Sequence, residues 1–167
     1  MNPHRSAFVR MVKHPLKFRL FLLWRLPAAY ISGVRVREID DNKAVVTVPY
    51  KWLSQNPFRS TYFTCLSMAA EMSTGILALA EIHQRNPGVS MLVVKVESEY
   101  FKKATDRSAF VCEEGPLFRQ AIKETIATGE ARSVRARSVG RNKAGEVVAE
   151  FWVTWSFKVR SFDTTHK

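Results

Sequence analysis

The sequence predicts an α+β domain in which a curved antiparallel sheet of five to six strands wraps round one long central helix. Three observations carry this. Residues 62–83 contain no proline and a single glycine and are apolar on nearly every helical face, and a helix apolar all round has to be buried on all sides. The strand-like segments are grouped before and after that helix and do not alternate with helices one for one, which argues against a parallel βαβ layout. The chain has 167 residues, 46% of them hydrophobic, and a chain of that length buries about 70% of its unfolded surface in one core, so a single domain over residues 15–160 suffices. A sheet that must cover a helix apolar on all sides has to curl round it.

The elements follow in order. Residues 1–14 are basic and aperiodic and read as a flexible arm. From Pro15, Leu16, Leu20, Leu23, Trp24 and Leu26 fit a helical stripe, with the proline tolerated in the first turn and Pro27 ending the run. His4, Arg5, Arg10, Lys13 and Lys17 precede the apolar stretch Leu20 to Trp24, which resembles a signal peptide. Arg25 and Pro27 interrupt the stretch far short of the roughly 20 apolar residues that span a bilayer. An amphipathic helix, packed on the domain or touching an anionic membrane, is the better reading. Residues 34–39 and 44–48 are β-branched runs around the turn formers Asp40, Asp41, Asn42 and Lys43, hence a hairpin. Within the long helix, Glu71, Ser73, Thr74 and Glu81 make a membrane span a poor reading, and Asn86-Pro87-Gly88 ends it.

Beyond the helix the period changes to two. In residues 89–101, Leu92, Val94, Val96 and Tyr100 segregate from Lys95, Glu97 and Glu99, as a half-buried strand requires. Residues 108–112 form a shorter strand. Pro116 opens a second amphipathic helix with Leu117, Phe118, Ala121, Ile122 and Ile126 on one side, and Gly129 closes it. Two last strands, about 131–139 and 147–159, are joined through Asn142-Lys143-Ala144-Gly145. Residues 161–167 read as a flexible tail.

The formal charge of +11 favours anionic partners: nucleic acid, a phospholipid surface or the phosphates of coenzyme A. No nucleic-acid reading motif accompanies it, so nucleic acid is the weakest of the three. Arg132, Arg135, Arg137, Arg141 and Lys143 lie on one strand and its turn, where they hold such phosphates or form a solvated sheet face. The two cysteines, Cys65 and Cys112, are too few for a disulfide framework and point to a reducing, cytoplasmic setting. His4, His14, His83 and His166 show no ligand spacing with each other or with the cysteines, and no metal site is expected.

The stretch Asn56-Pro57-Phe58-Arg59-Ser60-Thr61-Tyr62-Phe63-Thr64, followed by Glu71 and Thr74-Gly75, resembles the signature of the PaaI-like hotdog-fold acyl-CoA thioesterases. In that family an Asn precedes a His-Gly-Gly turn at the start of the central helix, and an acidic residue follows two turns later. Asn56 matches the Asn, Tyr62-Phe63-Thr64 occupies the His-Gly-Gly place, and Glu71 falls on the acidic position. Phe101-Lys102-Lys103-Ala104 is similar to the family's Phe-x-x-Pro-Ala. Within the superfamily the chain resembles the DUF4442 branch through Trp52-Leu53-Ser54-Gln55-Asn56-Pro57. The resemblance implies a hotdog fold, a homodimer or a dimer of dimers, and hydrolysis of acyl thioesters with no cofactor beyond coenzyme A as part of the substrate. It implies Glu71 as base or nucleophile, Asn56 orienting it or its water, Tyr62, Phe63 and Thr64 lending backbone donors to the carbonyl, and Thr74 and Phe101 contacting substrate. Backbone N–H groups at a helix start do stabilise an oxyanion, and an apolar setting raises a carboxylate's proton affinity into the range of a base. Two alternatives stay open: Glu71 as a structural carboxylate bonded across the dimer, and the whole protein as a non-catalytic acyl or lipid binder.

Overall fold

The structure, a computed structural model, describes residues 2–160; the expected tail at 161–167 lies outside them. Helices α1 (Arg5–Lys13), α2 (Pro15–Arg25) and α3 (Pro27–Ser32) lead into strands β1 (Arg35–Ile39) and β2 (Ala44–Val48). The central helix α4 (Phe63–Ile82), β3 (Val89–Tyr100), β4 (Ser108–Cys112), α5 (Gly115–Thr128), β5 (Arg132–Arg141) and β6 (Val147–Val159) follow. The six strands form one antiparallel sheet in the order β1-β2-β4-β5-β6-β3, so β1 and β3 are its edges.

α4 is about 30 Å long at 1.5 Å per residue, and Leu66, Ala69, Ala70, Met72, Ile76, Leu77 and Ala80 along it are buried. Its length and hydropathy match those of a membrane span, but two-thirds of its most apolar window is covered by the rest of the chain. It is a core helix. The concave sheet face closes over it with Val46, Val48, Phe110, Ala136, Phe151, Val153 and Phe157. Phe151 meets Phe110 edge-on at 5.7 Å and Phe118 of α5 meets Phe157 at 6.1 Å, the T-shaped geometry that aromatic quadrupoles favour.

Three sequence expectations are corrected. Residues 5–13 form helix α1 in place of an aperiodic arm, with Phe8 and Val12 one turn apart in the core and Arg5 held by Glu81 at the far end of α4. Asn2 Nδ2 donates to the carbonyls of Glu81 and His83 (3.1 and 2.8 Å), covering polar groups that α4's last turn leaves without helical partners. In α2 the buried residues are Phe18 and Leu22, and the stripe Leu16, Leu20, Leu23, Trp24 faces outward. As expected, the helix that starts at Pro15 stops ahead of Pro27, at Arg25; Pro27 then sits in the first turn of a separate helix, α3, which closes on Gly33 at φ 80°. In β3 the apolar set Leu92, Val94, Val96 and Tyr100 is also exposed. A bulge between Val93 and Lys95 shifts the register against β6, and Val89, Met91 and Val93 take the core side.

Candidate functional site

The chain enters α4 through an anchored loop. Asn56 Oδ1 accepts hydrogen bonds from the backbone N–H of Phe58 (3.0 Å) and Ser60 (3.2 Å) and from the Ser60 hydroxyl (3.2 Å). Thr61 donates its backbone N–H and its hydroxyl to the carbonyl of Ala104 (2.8 and 3.0 Å), and Tyr62 N–H donates to Ser54 (2.8 Å). The start of α4 is thereby fixed beside the segment that follows β3. Tyr62 takes the N-cap position with no side-chain cap, and the N–H groups of Phe63 and Thr64 face outward from the first turn, as the first donors of any helix do. A cavity of about 560 Å³ opens there, lined by Asn56, Tyr62, Phe63, Leu66, Tyr100 and Phe101 with Lys102 and Lys103 at its polar end. Its size lies in the range of small-molecule sites. Tyr62 and Phe63 pack edge to face at 5.0 Å in its wall.

Glu71 lies eight residues into α4, about 12 Å along the axis. It borders a second, smaller cavity of about 110 Å³ whose other walls are Phe18, Phe21 and Leu26 from the N-terminal helices, Met72, Gly75, Ile76 and Leu79 of α4, Met91 and Trp155. The carboxylate has no hydrogen-bond or salt-bridge partner among the described residues. Burial in these apolar walls pushes its pKa from 4.5 up to about 7. Gly75 makes the close packing feasible: a Cβ there would sit 2.8 Å from the Trp155 ring and 3.3 Å from Glu71 Oε1. Trp155 Nε1 donates to the Thr74 hydroxyl (2.9 Å), which itself donates to the Glu71 carbonyl (2.8 Å).

The structure thus brings Asn56, Tyr62, Phe63 and Phe101 together in one cavity and places Glu71 in another. Asn56 spends its side-chain oxygen on its own loop and does not reach Glu71 within the chain. Thr74 is fully buried and committed to Trp155 and the helix backbone, so it positions the Glu71 wall and is not a wall itself. Thr64 is half-buried in the first turn and is absent from the cavity lining. Leu66, Tyr100, Lys102, Lys103, Phe18, Phe21, Met91 and Trp155 were not legible as site residues. The lone glycine inside α4 was the one signal that something large packs against it.

The basic strand is largely neutralised. Arg135 pairs with Glu97 (2.9 Å), Arg137 with Glu150 (2.6 Å) and Arg132 with Glu130 (3.0 Å), the arrangement of a solvated outer face. Both cysteines are buried, and burial raises the Cys112 thiol to about 12, far from a nucleophile's range. No group of three His, Cys, Asp or Glu side chains converges as metal ligands among the described residues.

A curved sheet wrapped round one long helix, with a cavity at the helix start and an acidic residue two turns along, defines a hotdog-fold protein. The profile of the family described as a domain of unknown function, DUF4442, matches residues 18–157, and the chain belongs to that family. No curated protein matches it. Solved structures that superpose on it include the protein OLEI01261 from Chlorobaculum tepidum TLS, of unknown function (TM-score 0.74, 14% identity, 87% of this chain and 94% of that one). The protein PA5026 from Pseudomonas aeruginosa, described as a probable thioesterase, aligns with TM-score 0.71 at 17% identity over 96% of this chain and 99% of its own. The thioesterase HI1161 from Haemophilus influenzae aligns with TM-score 0.62 at 13% identity, covering 88% and 92%.

Proposed function

We propose that this protein is an acyl thioesterase, acting on acyl-CoA or another acyl thioester in the cytoplasm, with Glu71 as base or nucleophile. The observation that carries the reading is Glu71 itself: a carboxylate held without a partner in an apolar wall, its pKa near 7, at the position where the family resemblance puts the acid. Ionised groups are rarely left unpaired in such a setting unless their reactivity is used. The first-turn N–H of Phe63 would donate to the carbonyl oxygen in the larger cavity, and Lys103 at its polar end suits an anionic carrier, Lys102 being paired with Glu146. Turnover is tested by mixing the protein with acyl-CoA of several chain lengths and following release of the free thiol. Absence of hydrolysis above background overturns the assignment. Acyl binding without hydrolysis favours instead a non-catalytic acyl binder, a reading that the bulky Tyr62-Phe63 pair at the carbonyl site supports.

The two halves of this site are about 12 Å apart on one helix, too far for both to act on one carbonyl, so a second copy of the chain has to complete the site. The edge strand β3 is the face for it: its outer edge pairs with no strand among the described residues, and Leu92 is 66% exposed amid Val94, Val96 and Tyr100. A long apolar edge is covered by a partner or invites aggregation. Sedimentation is expected to show a dimer, or a dimer of dimers, with Val96→Lys shifting it toward monomer and lowering turnover in parallel. A wild-type monomer at assay concentration removes the shared site.

A further inference from the structure

The N-terminal helices carry a feature that thioester hydrolysis does not use. On α2, successive residues turn by 100°, so Leu16, Leu20, Leu23 and Trp24 fall within an arc of about 100° on the side opposite the buried Phe18 and Leu22. All four are exposed, Leu20 at 58% and Trp24 at 83%. Lys17 and Arg19 stand at the two margins of this arc. On the Arg19 side the surface runs into a groove of about 140 Å³ floored by Phe18, Leu22, Val34 and Val36, with Lys13, Arg19, Arg35 and Arg37 around it. No Asp or Glu precedes Glu38 in the sequence. Of the cations from Arg5 to Arg37, only Arg5 is in a salt bridge among the described residues. Arg19 lies over the Tyr30 ring at 4.5 Å instead.

We propose that this face is a docking surface for an anionic phospholipid membrane, with α2 lying in the plane of the interface. The apolar arc enters the acyl boundary, Lys17 and Arg19 reach from its margins to the headgroups, and the four-cation groove sits over lipid phosphates. Interfacial helices pair an apolar face carrying Trp and Leu with Lys and Arg beside it, the arrangement that Leu16, Leu20, Leu23 and Trp24 make with Lys17 and Arg19. Charge complementarity selects the occupant: a second copy of the chain would set these unpaired cations against each other, whereas an anionic bilayer neutralises them. The inner side of the same helix walls the Glu71 cavity, but docking does not depend on hydrolysis.

The test is co-sedimentation of the full-length protein with phosphatidylcholine vesicles, with and without phosphatidylglycerol, at low and high ionic strength. Binding is expected only with the anionic lipid and is expected to weaken with salt. Lys17→Glu and Arg35→Glu should each lower the partition coefficient by about fivefold or more. The double variant Leu20→Glu/Trp24→Glu changes only exposed positions and should lower it more than about tenfold. Tryptophan emission should shift to the blue on binding, and the shift should be lost in Trp24→Phe. Glu71→Gln should bind like wild type, which separates failure of this proposal from failure of the hydrolase reading. The proposal is overturned if wild type stays in the supernatant, if binding ignores these substitutions, or if Leu20→Glu/Trp24→Glu changes the oligomeric state, which would make the face a self-contact.

Discussion

Replacing Glu71 by glutamine is expected to lower thioester turnover by roughly 10²- to 10⁴-fold, the range for losing a general base or its equivalent, with the fold intact. The active form is the carboxylate, so kcat/KM of the wild type should rise with pH and level off above about 7, where the group is ionised. The same residue makes a linked prediction about stability. Its folded pKa lies above the ordinary 4.5, so the native state holds a proton that the unfolded chain has already released between these values. Stability linked to Glu71 is therefore complete below about pH 4.5 and is lost as pH rises to about 7, by an amount of order 3 kcal/mol. Glutamine cannot ionise. The melting temperature of Glu71→Gln should therefore match wild type near pH 5 and exceed it progressively toward pH 8. A variant that loses activity without this pH-dependent gain would mean that the carboxylate has a partner when folded; one that keeps full activity removes Glu71 from the mechanism.

Those two behaviours share one physical origin, an ionisable group largely buried among apolar walls and unpaired among the described residues, and the sequence exposed only part of it. The position of Glu71 on the buried helix was legible because the run 62–83 is apolar on every face. The strands at 44–48, 108–112 and 147–159 were legible to their end residues, because each is alternating or β-branched and bounded by turn formers. What covers an apolar stripe was not legible. The period of α2 shows that Leu16, Leu20 and Leu23 share a face, but Phe18 and Leu22 make a second apolar face, and only tertiary packing decides which turns inward. In β3 the bulge between Val93 and Lys95 breaks the period of two on which the face assignment rested. Asn56 and Glu71 match one family signature yet line different cavities, since a signature records order along the chain and leaves out how far apart the groups stand in space. Helix α1 escaped because polar bonds to the end of α4 hold it as much as its apolar residues do.

Arg5 is where those polar bonds converge, and its removal is expected to be the most damaging single change outside the aromatic core. Arg5 Nε donates to Glu81 Oε1 at 2.8 Å, and its Nη2 donates to the Asp40 carbonyl at 2.8 Å. Its Nη1 also pairs with Asp41. Glu81 is 3% exposed. Substituting Arg5→Met keeps the aliphatic bulk but leaves a buried carboxylate without its cation, which costs about 3–5 kcal/mol. For a chain of this length that is roughly 10 °C in melting temperature. The pair is a tie, not a source of net stability, because desolvating both charges offsets much of their attraction. The double variant Arg5→Met/Glu81→Met should therefore recover most of the loss, and the cycle should return a coupling of several kcal/mol, far above the scatter expected of independent sites. A loss under about 1 kcal/mol for Arg5→Met would show that α1 is not docked on α4 as described. Only His14 separates α1 from α2, so loosening this tie should also loosen the wall that α2 places over Glu71. Arg5→Met is accordingly expected to bring the pH profile of hydrolysis closer to that of a solvated glutamate, with its rise shifted below pH 7.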